Sequence, residues 1–167
     1  MKNLNETLLY AVYSQKRQRI MKLLQKGANI NWSDEDGRTI LMHAILSDNA
    51  SCEIVELLVK NGADVNAREM NRGWTALHFA VREGHVDIVE FLIEKGVVLD
   101  AQDTFGNTPL IEAIHSFKGD PSIINLLLRH GANKNAANIE AISPISLART
   151  IGDSTVIKIL MENAENK

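Results

Sequence analysis

The sequence predicts an all-α repeat array, and two observations carry that prediction. The stretches "GRTILMHA" (37–44), "GWTALHFA" (73–80), "GNTPLIEA" (106–113) and "AISPISLA" (141–148) share one G-x-T-x-L-x-x-A frame. Each is followed by a second apolar block, "IVELLVKNGADVN", "IVEFLIEKGVVLD", "IINLLLRHGANKN" and a final "VIKILMENA". Glycines 27, 62, 96 and 131 are separated by 35, 34 and 35 residues, and "ETLLYA" with "RIMKLLQKGANIN" supplies a first unit without its leading turn. Five units with a period of 33 to 36 residues are the signature of a repeat architecture.

Each unit can be justified in chain order from the chemistry of its recurring positions. Thr39, Thr75, Thr108 and Ser143 place a hydroxyl where the free amides of a starting helix need an acceptor. Pro109 and Pro144 follow, at the first helical position, where a missing N–H costs nothing. Leu8, Leu41, Leu77, Leu110 and Ile145 recur as core anchors, and Ala11, Ala44, Ala80, Ala113 and Ala148 recur where a small side chain lets paired helices approach. In "GDPSIINLLL", Asp120 and Pro121 repeat the cap-plus-proline start for a second helix. Gly27, Gly62, Gly96 and Gly131 then end the second helices, where a left-handed residue is wanted. The remaining glycines fall in the turns before the first helices or between paired helices. None is left for a phosphate-cradling loop.

These residues resemble the ankyrin repeat family, with its T-P-L-H-x-A and G-A-D-V-N signatures. Residues 73–96 follow that pattern almost position by position, and the resemblance extends over roughly residues 5–164. It implies an ankyrin solenoid of antiparallel helix pairs joined by β-turn fingers, one domain over 1–167 with units near 1–30, 31–65, 66–99, 100–134 and 135–167. It also implies that His78, at the family's TPLH position, and His85, at the start of a second helix, hydrogen-bond between repeats. Finger tips and inner helices are implied to form a concave binding face.

Departures from the repeat mark individuality. The spacing from Asn66 to Gly73 is one residue longer than from Asn31 to Gly37, so the finger in "REMNRGW" carries an insertion. Loops "LSDNAS" and "HSFKGD" lengthen the second and fourth units, Ala141 replaces a finger glycine, and "GVVLD" stands where the family has G-A-D-V-N. The family's Thr–His pairing survives only at Thr75 and His78. Basic residues Lys16, Arg17, Arg19, Lys22 and Lys26 at one end and "ENAENK" at the other are read as the polar outer faces of a complete, capped array.

Composition narrows the function. A chain of 167 residues with net charge −3 is long enough for a proper core and argues against a nucleic-acid binder. A single cysteine forms no internal disulfide, and no stretch approaches the roughly 20 apolar residues of a membrane span. A cytoplasmic, soluble protein that is monomeric when free is expected. Charge is nonetheless uneven: residues 1–30 carry +5 and residues 31–66 carry −5, a split that would steer a charged partner or form ordinary solvated faces. The histidines are scattered over the middle units without a ligand set, "DEDG" (34–37) lacks the spacing of a calcium loop, and Cys52 has no evident base. No cofactor, metal or catalytic residue is expected.

The expected activity is therefore non-catalytic binding of another protein, and the resemblance places the surface. Its finger positions fall on Trp32, Glu35, Asp36 and Arg38, on Arg68, Met70, Arg72 and Trp74, and on Thr104, Phe105 and Asn107; Arg82 and His115 extend it along the inner helices. Arg72 and Trp74 are the candidate anchors, with packing of Trp74 on the neighbouring finger as the other reading. Masking or inhibition of the partner is the sharper expectation, since the chain resembles free-standing bacterial ankyrin proteins that neutralise toxins and small ankyrin inhibitors of kinases. An accessory or scaffold role for an enzyme or signalling complex is the alternative, and an enzyme a distant one.

Overall fold

The longest helix among the described residues has ten residues, too short to persist alone in water, so stability must come from packing between units. A computed structural model describes residues 3–162. Its helices form five pairs: α1 (Leu4–Tyr13) with α2 (Arg17–Gln25), α3 (Ile40–Ile45) with α4 (Cys52–Lys60), α5 (Ala76–Glu83) with α6 (Val86–Glu94), α7 (Pro109–His115) with α8 (Ser122–Arg129), and α9 (Pro144–Ile151) with α10 (Ser154–Glu162). The first helices pack in one row, α1 on α3 on α5 on α7 on α9, and α4, α6 and α8 pack in a second row behind them. The polar segment "ENAENK" lies almost wholly outside the described residues.

The recurring positions take the places expected of them. Leu8, Leu41, Leu77 and Leu110 are buried at the contacts between first helices, and all five recurring alanines are buried beside them. Ile145 is the exception: it is half-buried, because α9 packs against α7 and no other first helix among the described residues covers its far side, and Leu147 is buried in its place. Thr39, Thr108 and Ser143 cap their helices, accepting from the amides of Met42, Ile111 and Ser146 at 3.3, 3.4 and 3.3 Å. The second helices end on left-handed glycines, Gly27, Gly62, Gly96 and Gly131.

Side-chain amides and carboxylates tie the loop after one second helix to the loop after the next. Asn31 accepts from Asp64 N, and Asn66 from Val98 N, both at 2.8 Å. Asp100 takes the same role toward Asn133 N at 3.0 Å, so the departure in "GVVLD" keeps the acceptor and changes only its chemistry.

The fingers are built around one acidic or amide side chain each. Asp34 Oδ1 accepts from Asp36 N and Arg38 N, Asp103 Oδ1 from Phe105 N and Asn107 N, and Asn138 Oδ1 from Glu140 N and Ile142 N. In the longer finger the residue is Glu69, whose carboxylate accepts from Asn71 N, Arg72 N and Trp74 N. One additional methylene in the side chain spans one additional residue in the loop. Because the insertion is absorbed locally, the fingers still join in a regular way. Met70 N donates to Asp36 O at 2.8 Å, Thr104 N to Arg72 O at 2.7 Å, and Ile139 N to Phe105 O at 3.0 Å.

That ladder brings successive fingers into close approach. A Cβ at Gly106 would lie 3.0 Å from Asn138 Cα and from Ile139 N, so the left-handed φ of +76° is matched by a steric demand for glycine. Ala141 occupies the equivalent place in the last finger with φ 58°. No further finger packs on it among the described residues and Ala141 is exposed, so the cost that remains is backbone strain.

Candidate functional site

The finger tips and the first helices present one face, and the structure divides the expected site residues on it into three groups. Glu35, Asp36, Arg68, Met70, Arg72, Arg82, Thr104, Phe105 and His115 are exposed; Trp32, Arg38 and Asn107 are half-buried; Trp74 is buried. Met70 and Phe105 keep 75% and 52% of their surface in solvent, and Ile139 on the following finger keeps 72%. Three adjacent tips therefore each expose a large apolar side chain on a backbone fixed by the inter-finger bonds. Ile139 was missed by sequence reasoning, although the repeat frame itself puts it at the tip position of Met70.

Trp74 corrects the expectation of a partner anchor. At 2% exposure its indole has almost no surface left for a partner to cover. It stacks on His78 with centroids 5.8 Å apart, meets Phe79 edge-on at 5.2 Å, and donates Nε1–H to Asp103 Oδ2 at 3.2 Å. The reading in which it packs on the neighbouring finger is the one observed. The guanidinium groups of Arg72 and Arg82 lie 5.4 and 5.3 Å from its ring centroid. Trp74 is thus a platform beneath the face rather than part of it.

Asn107 and Arg68 are struts between fingers. Asn107 Oδ1 accepts from Asn138 Nδ2 at 2.8 Å, and Arg68 Nη1 donates to the carbonyls of Gly73 and Gln102. Arg38 pairs with Asp36 at 3.8 Å, which turns its charge toward its own finger.

The histidines serve the frame. His78 is fully buried; its Nδ1 accepts from Thr75 N at 3.2 Å, its Nε2 donates to Asn107 O at 3.3 Å, and burial pushes its pKa from 6.5 to about 4. The Thr75 hydroxyl lies 3.0 Å from the same Nδ1. The bond to Asn107 reaches into the next unit, as the resemblance implied. His85 forms no side-chain hydrogen bond with another described residue, and its part of that expectation is corrected. It heads α6 half-exposed, where solvent serves its ring. His43, which carried no expected role, is buried and links two units: Nε2 faces Asp34 Oδ2 at 2.9 Å and Nδ1 faces the Tyr13 hydroxyl at 2.7 Å. Burial lowers the His43 pKa, against the opposing pull of Asp34, and raises that of Tyr13.

What the arrangement can do chemically follows. Burial raises the Cys52 thiol above its ordinary pKa, the reverse of what a nucleophile needs. Among the described residues no three His, Cys, Asp or Glu side chains are close enough to hold a metal ion, and no helix is long and apolar enough to cross a membrane. The face offers exposed apolar tips, arginines and a rigid backbone, which are the materials of a protein-recognition surface.

A row of stacked helix pairs whose finger tips are joined main chain to main chain is the architecture of a protein–protein interaction module. The chain belongs to the ankyrin repeat family, whose repeats are protein–protein interaction modules: the profile of three ankyrin repeat copies matches residues 2–69 and 51–138. The chain is similar to an ankyrin repeat protein of fowlpox virus, 32% identical over 165 residues, covering 95% of this chain and 48% of the relative. It is also similar to human protein phosphatase 1 regulatory subunit 27, 42% identical over 90 residues, or 50% of this chain and 56% of that one. With human SH3 and multiple ankyrin repeat domains protein 2 it shares 33% identity over 144 residues, 86% of this chain and 8% of the relative. The chain spans about half or less of the length of these relatives.

Proposed function

We propose that the chain binds a partner protein through the exposed finger tips of its third, fourth and fifth units and thereby masks or inhibits that partner. The observation that carries the reading is the run of Met70, Phe105 and Ile139, solvent-exposed apolar side chains on adjacent fingers whose main chains are bonded to one another. Exposed apolar groups on a preorganised backbone lose little conformational entropy when covered, so their burial contributes to affinity with small offset. The similarity to a regulatory subunit supports a regulatory role over a purely structural one. A cytoplasmic setting, with no nucleic acid or membrane as ligand, belongs to the same reading.

The test is affinity capture from the source cells with the native chain and with a Met70→Ala/Phe105→Ala/Ile139→Ala variant, followed by assay of the captured protein with and without the chain. Masking requires a protein held by the native chain alone and a loss of its activity on binding. Equal capture by both chains places the interface elsewhere, and capture without loss of activity favours the accessory or scaffold role.

A further inference from the structure

Arg72 and Arg82 come from different elements, a finger tip and the last turn of α5, yet both guanidinium groups are held against the Trp74 ring, at 5.4 and 5.3 Å from its centroid. The ring is itself fixed, buried and bonded to Asp103, so the two cations inherit its position. Both arginines are exposed, and neither side chain forms an ion pair or hydrogen bond with another described residue. Their planar donors are therefore oriented but unused, the state from which a guanidinium binds a carboxylate with least loss of freedom. Glu112, half-buried on α7, lies in the field of both arginines without approaching either to ion-pair distance.

We propose that Arg72 and Arg82 together recognise a carboxylate of the partner, an Asp or Glu within a segment whose neighbouring apolar side chains cover Met70 and Phe105. This rests on the binding reading above and names the chemistry of the partner that it needs. Charge complementarity selects the place: the second unit's finger presents Glu35 and Asp36, which repel an acidic segment and confine its carboxylate to the third and fourth units. An arginine pair on an aromatic base favours the flat, bidentate carboxylate over a neutral amide of the same shape. Glu112 competes for the same two charges, so its removal strengthens the site.

The test is selection of a displayed library of random peptides on the intact chain, followed by affinity measurement with the best peptide and its Glu→Gln or Asp→Asn counterpart. The expected result is enrichment of an acidic residue beside aromatic or aliphatic ones. Roughly tenfold weaker binding is expected for the amide counterpart, with similar losses for Arg72→Gln and Arg82→Gln. Glu112→Gln should tighten binding, and unchanged melting temperatures of the exposed-arginine variants exclude misfolding. Peptides that lose affinity on Met70→Ala or Phe105→Ala but show no acidic preference would overturn the carboxylate assignment and leave the finger-tip reading standing. Peptides indifferent to both sets of substitutions, or no enriched peptides, would overturn both.

Discussion

One oxygen of Glu69 accepts the amides of both Arg72 and Trp74, at 2.6 and 3.0 Å, and so closes a finger one residue longer than its neighbours. Glu69 is 5% exposed, so these amides have little water to turn to. Glu69→Ala should cost about 2–3 kcal/mol of stability through the amides left unpaired. Glu69→Asp should also destabilise, because its carboxylate falls short of the loop. Combining Glu69→Asp with deletion of Asn71 should recover much of the loss by restoring the regular finger. Denaturant titration of the three variants decides this, and a combined variant no better than Glu69→Asp alone would refute the length-matching account.

His78 makes stability depend on pH. Its folded-state pKa is lowered from 6.5 to about 4, so between those values the unfolded chain holds more protons than the folded one. Stability supplied by the neutral imidazole is therefore present above pH 6.5 and is lost as pH falls toward 4, by up to roughly 3 kcal/mol. His43, lowered by burial, adds in the same direction. Unfolding measured across this range should show a slope that flattens in His78→Asn.

The finger glycines should rank by what a methyl group would meet. Gly106→Ala is expected to be most costly because it strikes main-chain atoms at 3.0 Å. At Gly37 the closest atom is the flexible Met70 Cγ at 2.7 Å with one main-chain atom, Met70 N, at 3.0 Å, whereas Gly106 faces three main-chain atoms at 3.0, 3.0 and 3.3 Å; at Gly73 the neighbours stand at 3.4 Å or more. Ala141→Gly should stabilise by about 0.5–1 kcal/mol, since it relieves an exposed left-handed alanine. Melting temperatures of the four variants test the order.

Binding and stability should separate at the face. Met70→Ala and Phe105→Ala remove exposed side chains and should weaken partner binding with melting almost unchanged. Trp74→Ala should lower stability by about 3–5 kcal/mol, because it empties a packed position between two fingers. Calorimetry on the three variants, with the peptide selected above as ligand, distinguishes these effects.

The architecture was legible because its signals repeat: one Thr or one Gly is weak evidence, whereas Gly27, Gly62, Gly96 and Gly131 in register leave little choice. The face was legible only in part. Trp74 reads as an interface residue from composition alone, and only its contacts with His78, Phe79 and Asp103 reveal that it is covered. Ile139 was available from the frame, since it follows Asn138 as Met70 follows Glu69. The match of Glu69 to the longer loop needed two facts at once, the insertion and the reach of one methylene. The Tyr13–His43–Asp34 link joins residues 30 and 9 positions apart, and no local pattern announces such a contact.

The bonds from Met70 to Asp36, Thr104 to Arg72 and Ile139 to Phe105 use main-chain atoms alone. Joints of that kind are blind to the side chains they carry. A mutation at a tip changes the surface that the finger presents without loosening the attachment of one finger to the next. A lengthened loop is tolerated wherever a longer acidic side chain can close it. Over evolutionary time such a chain can change its target one letter at a time while its architecture is inherited intact.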